Sequence, residues 1–398
     1  MNFGRTYLDY NASAPLRECA RSAMVDALSR HGNPSSIHGE GRDMRRLIEQ
    51  ARGEIAALVG AELESVVFTS SATEAVDLAL TPNITSNGTP RPAGKLYVLA
   101  TEHPCVLAGG RFSSDDIVII PVSTNGLIDM PAFEVLLENH GDGVPYVAIQ
   151  LVNSETGIIQ PVAEVAQKVR FLGGYTFCDA VQAIGRMPVD VKALGVDFLA
   201  LSAHKIGGPQ GVGALVVAHS ILTMPPAIKG GGQELKRRAG TENVAAIAGF
   251  GAAAVEARSE AADYSGISTL RESIEEQLVP ICKKLGLDDL FTVFGGDVDR
   301  VGNTLLFSLE GMKAETALIA FDLEGVAVSS GSACSSGKVG SSHVLLSMDV
   351  AEDAAQSAIR VSLGWGSTEA DTNKFVAAFE RIAKRMATKR DTIIAGAA

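Results

Sequence analysis

The chain has 398 residues, 46% of them hydrophobic and 20% charged, a composition that excludes a disordered protein and calls for two domains or three. Lys and Arg number 34 against 46 Asp and Glu, and the resulting charge of −12 argues against binding a nucleic-acid backbone. No apolar run approaches the ~20 residues of a membrane helix, and Met1–Pro15 lacks the basic and apolar regions of a secretory signal.

The first periodic stretch is a helix from about Arg45 to Leu58, with Leu47, Ile48, Ala51, Ile55 and Leu58 on one face. A buried strand, Ser65–Thr69, leads through Ser70-Ser-Ala-Thr-Glu74 into a second helix over Ala75–Leu80. Further strands are predicted at Leu96–Ala100, Ile117–Pro121, Tyr146–Val152, Tyr175–Cys178, Phe198–Ser202 and Val212–Val217. Their apolar runs are continuous rather than alternating, as in strands covered on both faces. The last two stand so close that one antiparallel pairing is expected at a sheet edge, in an otherwise largely parallel α/β architecture. Past Thr241 the texture changes. Helices are predicted at Val244–Ala262, Ile267–Leu285, Lys313–Leu323 and Thr368–Met386, with strands at Asn303–Leu309, Val326–Ser329 and Ile359–Leu363. A large domain is expected to end near residue 258, where one long helix crosses into a smaller α+β domain.

Five stretches could carry chemistry. Lys205 ends a buried strand in Ser202-Ala-His-Lys205 and is followed at once by a glycine-rich turn. A solvated lysine at a strand end would look the same. In an apolar pocket, however, such an amine has a lowered pKa and forms Schiff bases, which raises pyridoxal phosphate (PLP) as a cofactor. Asp179 closes another buried strand, and a PLP enzyme needs a carboxylate there to keep the pyridine nitrogen protonated. Gln182 could then bond the ring's phenolic oxygen, although Asp179 could equally be a helix cap. Ser71-Ala-Thr-Glu74 is a hydroxyl-rich helix start, either a cap or an anion site. His103 follows the strand ending at Ala100 and could stack on a flat ring and move protons. Cys334 sits in Ser329-Ser-Gly-Ser-Ala-Cys-Ser-Ser-Gly337, where small residues make no core and leave a thiol reachable. The five cysteines, at 19, 105, 178, 282 and 334, are never spaced C-x-x-C, which fits reduced thiols in a cytosolic enzyme. Neither a Walker loop nor a G-x-G-x-x-G after a strand occurs.

Taken in order, these stretches resemble the PLP-dependent cysteine desulfurases of the NifS/IscS type, in the class V aminotransferase group. The resemblance also covers Tyr7–Ala12, Gly32–His38, Glu155–Gly157, Gly230–Glu234, Arg237–Asn243 and Ile359–Gly364. It implies the fold-type I architecture: a seven-stranded, mostly parallel large domain over 13–258, and a small α+β domain from 1–12 and 259–398, in a homodimer. Lys205 would hold PLP, Asp179 its pyridinium, Gln182 its phenolate oxygen, and His103 would stack on the ring. Ala72, Thr73, Ser202 and His204 would bind the cofactor, the last three through its phosphate, and Thr241 would reach that phosphate from the other subunit. Asn11 and Arg360 would hold the carboxylate of L-cysteine beside Ser154. Cys334 would take the sulfur as a persulfide and pass it to an iron–sulfur scaffold or another acceptor protein in the cytoplasm. No resident metal is implied, though Cys334 could ligate a nascent iron–sulfur cluster transiently. Three places depart from the family pattern: Ser154 where a second asparagine is usual, Trp365 where an arginine is usual, and Lys338–His343, which lacks a Glu-Pro pair. Another fold-type I enzyme, a class V aminotransferase or a selenocysteine lyase, would share Lys205 and Asp179 without needing Cys334. A non-catalytic relay protein would need none of them.

Overall fold

The computed structural model describes residues 4–331 and 340–397, with residues 391–397 described through their backbone only. Seven strands form the central sheet: β1 (Val66–Thr69), β2 (Ala93–Leu99), β3 (Ile117–Ile120), β4 (Val144–Gln150), β5 (Tyr175–Asp179), β6 (Phe198–Ser202) and β7 (Gly213–Val217). Their spatial order is β1-β7-β6-β5-β4-β2-β3. β7 runs antiparallel to both β6 and β1, and the remaining pairs are parallel. The antiparallel pairing expected at an edge is therefore inside the sheet. The hairpin from β6 is short, as its spacing requires, but β1 caps the far side of β7.

The continuous apolar runs have the expected cause. Val66 and Phe68 of β1, Val147 and Ile149 of β4, and Leu199 and Leu201 of β6 face one buried core. Val67, Tyr146, Ala148, Phe198 and Ala200 face another on the opposite side. Successive side chains of these strands thus enter one apolar core or the other. The first core is covered by α1 (Glu18–Leu28), α2 (Gly39–Leu58) and, further along the chain, α4 (Val244–Ala261). α2 begins six residues before its apolar periodicity, capped by His38, which accepts from Gly41 N at 3.3 Å. The alanine and glycine content of α4 serves close packing: a Cβ on Gly251 would fall 2.7 Å from the backbone of Ala51 in α2. A short helix, α3 (Ala72–Ala79), follows β1 directly.

The long helix expected to cross residue 258 is α4, and the helix predicted after it forms separately. α4 ends at Ala261, and α5 (Ser265–Lys284) starts after a three-residue break. A second, all-antiparallel sheet then forms in the order β8-β9-β11-β10, from β8 (Phe291–Phe294), β9 (Thr304–Leu309), β10 (Ser329–Ser330) and β11 (Ala358–Ser362). The strand predicted over Val326–Ser329 is split, because Val326–Ala327 turns away to pair in parallel with Thr6–Tyr7. α5, α6 (Ala314–Leu323) and α7 (Glu369–Ala397) cover this sheet around Phe307, Phe321, Phe375 and Phe379. Leu8 is fully buried in the same core, so the N-terminal segment belongs to it physically. No helix among the described residues is long and apolar enough to cross a membrane.

Candidate active site

All six parallel strands end on one rim of the central sheet, where β7 begins. The turns beyond β1, β2, β4, β5 and β6 surround a cavity of about 340 Å³ that the N-terminal segment and β11 close from the other side. Ligand sites of α/β sheets belong at this carboxyl rim.

From β6 comes Lys205, whose Nζ donates to the carbonyls of Asn11 at 2.5 Å and Ala12 at 2.9 Å. From β5 comes Asp179. Its Oδ1 accepts from Val181 N at 2.9 Å, and the basic side chains facing it are His103 and Lys205. Burial raises the Asp179 carboxyl above its usual range despite these three. From β2 comes His103, whose Nδ1 accepts from Cys105 N at 3.2 Å. Burial, reinforced by Lys205 and against the pull of Asp179, lowers its pKa, so the ring is neutral with Nε2 carrying the proton. Gln182 Nε2 donates to the Asn11 carbonyl at 3.0 Å. Ser202 and His204 lie beside Lys205, and burial together with Lys205 drives His204 down to about 4.

Beyond β1, Ser71 caps α3 by accepting from Glu74 N at 3.1 Å, and Glu74 reaches back to Ser70 N at 2.7 Å. Ala72 and Thr73 form the first turn of α3 at the cavity wall. A Cβ on Gly213 of β7 would come within 2.6 Å of Ser71 C and 2.8 Å of Ala72 N, so only glycine lets that turn seat on the sheet.

On the far side, Arg360 of β11 donates to the Ser154 carbonyl at 2.9 Å and to Asp9 Oδ1 at 3.0 Å, and its Nε is buried without a partner. The Asn11 amide is already committed, donating to Thr304 Oγ1 at 2.9 Å and the Ser154 carbonyl at 3.2 Å. It is the Asn11 backbone carbonyl that serves Lys205 and Gln182.

Eleven of the residues singled out from the sequence thus line one cavity: Asn11, Ala72, Thr73, His103, Ser154, Asp179, Gln182, Ser202, His204, Lys205 and Arg360. Thr241 does not. It lies in a separate surface hollow beside Ser70, Gly211 and Arg238. Cys334 lies outside the described residues. Sequence reasoning missed Cys105, which also lines the cavity with Sγ 2.9 Å from His103 Nδ1. Only its position two residues past His103 could have pointed to it. Glu102, buried completely next to Asp179, was also missed; both burial and Asp179 raise its pKa well above the carboxylate range. Among the described residues no group of three His, Cys, Asp or Glu could hold a metal ion.

These residues fit PLP. A carboxylate short of compensating charge suits a pyridinium, an amine sits beside it, and a helix N-terminus fitted closely against the sheet suits a phosphate.

An α/β sheet carrying a lysine, a carboxylate and a histidine on one rim defines a class of PLP enzyme, and residues 6–375 match the class-V aminotransferase family, a PLP-dependent family. The chain belongs to that family. It is 37% identical to the cysteine desulfurase IscS of Dictyoglomus turgidum over 96% of this chain and 95% of that protein. It is 36% identical to a cysteine desulfurase of Cereibacter sphaeroides over 94% of both chains. Among solved structures it resembles a NifS-like protein from Rickettsia africae (TM-score 0.82, 36% identity, 95% of this chain and 99% of the other). It also resembles SspA in complex with cysteine (TM-score 0.73, 28% identity, 90% of this chain and 98% of the other).

Proposed function

We propose that the chain is a cysteine desulfurase that converts L-cysteine to L-alanine and retains the sulfur as a persulfide on Cys334. The observation that carries this reading is the convergence of Lys205, Asp179 and His103 on one cavity in a chain so similar to named desulfurases. Cysteine bound to SspA supports the substrate. Bound PLP supplies an electron-accepting ring that labilises bonds at the Cα and Cβ of an amino acid.

The chain's residues do the rest. Asp179 holds the ring nitrogen protonated. Lys205, once released by the incoming amine, takes the Cα proton on Nζ; such a positioned base contributes about 10²–10⁴-fold. Neutral His103 presents Nε2 as the proton donor or acceptor near the substrate sulfur. Arg360 offers its guanidinium to the substrate carboxylate, with Asn11 and Ser154 holding that side of the cavity. The Cys334 thiolate forms the new S–S bond as the substrate's Cβ–S bond breaks. Carbon keeps the electron pair and gains a proton, so alanine leaves and no external oxidant is needed. The sulfur would then pass to an iron–sulfur scaffold or another acceptor protein in the cytoplasm, with Cys334 able to ligate a nascent cluster in passing.

In this reading residues 13–258 form the PLP-binding domain, and 1–12 with 259–398 form the small one. A homodimer belongs to the same reading, because Thr241 points to a surface hollow rather than to its own chain's cavity and could serve a partner's phosphate.

The test uses two variants. Cys334→Ser should keep the yellow chromophore yet release no sulfide from cysteine, and full turnover would refute its role. Lys205→Ala should abolish the PLP adduct trapped by borohydride, and a retained adduct would rule out this lysine. A keto acid as product in place of alanine would make the protein an aminotransferase.

A further inference from the structure

Arg186 is a cation buried without an anion. It lies in the turn after β5, one helical turn beyond Gln182, and is 6% exposed. Its Nη1 donates to the Gln182 carbonyl at 2.5 Å and also to Gln182 Oε1. Its Nη2 is buried with no hydrogen-bond partner. Among the described residues no carboxylate pairs with it. The groups acting on it are the neutral Tyr264 phenol, a polar neighbour that favours its charge, and the repelling guanidinium of Arg360. Burial lowers its pKa to about 10, which leaves it charged at neutral pH. An uncompensated buried guanidinium is expensive to keep, and this one stands behind Gln182, which lines the ligand cavity, so an anion arriving with the ligand would answer it. The contact has a second effect. By taking Gln182 Oε1, Arg186 fixes the amide so that Nε2 faces the Asn11 carbonyl and the cavity.

We propose that Arg186 is a positioning residue: it locks the Gln182 amide as a donor into the cavity and supplies the positive charge that the phenolate oxygen of PLP answers. This rests on the reading of the chain as a PLP enzyme. A purely structural Arg186 would only tie down the turn through the Gln182 carbonyl.

The two roles separate in the pH titration of the PLP chromophore on the purified holoenzyme. A positive charge beside the ring opposes protonation of the Lys205-linked chromophore, so removing it makes that proton easier to hold. Arg186→Met should raise the pH midpoint by about one unit, whereas Arg186→Lys, which keeps the charge, should stay close to wild type. The other groups facing this region, namely Tyr264, Arg360, Lys205, Asp179 and His103, are unchanged in both variants. A chromophore present in Arg186→Met with an unmoved midpoint overturns the proposal and leaves the PLP reading intact. A wild-type protein that takes up no PLP overturns both. Should Arg186→Met fail to fold, the wild type answers the same question. PLP should raise the melting temperature of the apoprotein more than the analogue lacking the 3-hydroxyl, and equal stabilisation overturns the proposal.

Discussion

Glu102 and His204 stand on the same rim and respond to burial in opposite directions. Burial raises the Glu102 pKa, reinforced by Asp179, and with the help of Lys205 it lowers that of His204 to about 4, so the His204 ring is neutral at pH 7. For Glu102 the folded pKa lies above the unfolded one. Its contribution to stability is complete below about 4.3 and declines as pH rises toward the folded value. Glu102→Gln mimics the protonated form, so its melting temperature relative to wild type should be higher at pH 8 than at pH 5. A difference independent of pH would contradict a raised Glu102 pKa. His204 has the reverse sign: its contribution is present above about 6.5 and is lost as pH falls toward 4. His204→Gln should therefore flatten the melting temperature between pH 6.5 and 4, and an unchanged acid slope would refute this. Lys205 and Asp179 could be picked out in the sequence because an ionisable residue closing an apolar strand is conspicuous. Glu102 could not, since nothing in Thr101-Glu-His103 says which of the two charged side chains turns inward.

At the scale of elements, the seat of α3 decides whether the rim can accept an anion. Ser71, Glu74 and the hydroxyls around them mark a helix start in the sequence. That this start lies against β7 is a fact of strand order alone. A Cβ at Gly213 meets backbone atoms that cannot rotate away, so Gly213→Ala must displace the first turn of α3. The expected cost is about 1–3 kcal/mol, and PLP affinity should fall roughly tenfold or more, read by equilibrium dialysis. Wild-type affinity in this variant would show that the turn does not hold the phosphate. The inner strands of the central sheet were legible because both faces of each are buried, whereas the edge strand β3 was legible from its apolar run alone, since Ile119 is exposed. The two-residue strands at Thr85–Ser86, Thr89–Pro90 and Leu222–Thr223 were not, since so short a segment shows no period.

At the scale of the molecule, the N-terminal segment stitches the two sheets together around Lys205. Asp9 bridges to Ser362 of β11, while Asn11 and Ala12 supply the carbonyls that hold the lysine. Behind them Arg17 stacks on Trp365 at 3.6 Å, pairs with Glu256 and Glu260, and donates to the Ile206 carbonyl at 2.8 Å. Trp365 stands where the family resemblance implies an arginine, and a guanidinium from the other end of the chain packs against it. Arg17→Met should lower stability by about 1.5–3 kcal/mol, the worth of its charge-assisted hydrogen bonds. It should also shift the emission of Trp365, the single tryptophan. An unchanged melting temperature and spectrum would show that this clamp carries no strain-bearing role behind Lys205.

By itself the order of residues determined which segments are buried strands, which helix starts are polar, and which amine, carboxylate, imidazole and thiol are placed to react, because burial and period are local properties of a chain. Only the tertiary structure decided that β7 lies between β6 and β1, that Thr241 lies outside its own chain's cavity, that Cys105 lines that cavity with the lysine, that Glu102 is buried beside Asp179, and that Arg186 holds Gln182. Those outcomes depend on which distant segments come to share a rim, and pairing between strands far apart in sequence leaves no mark on either strand alone.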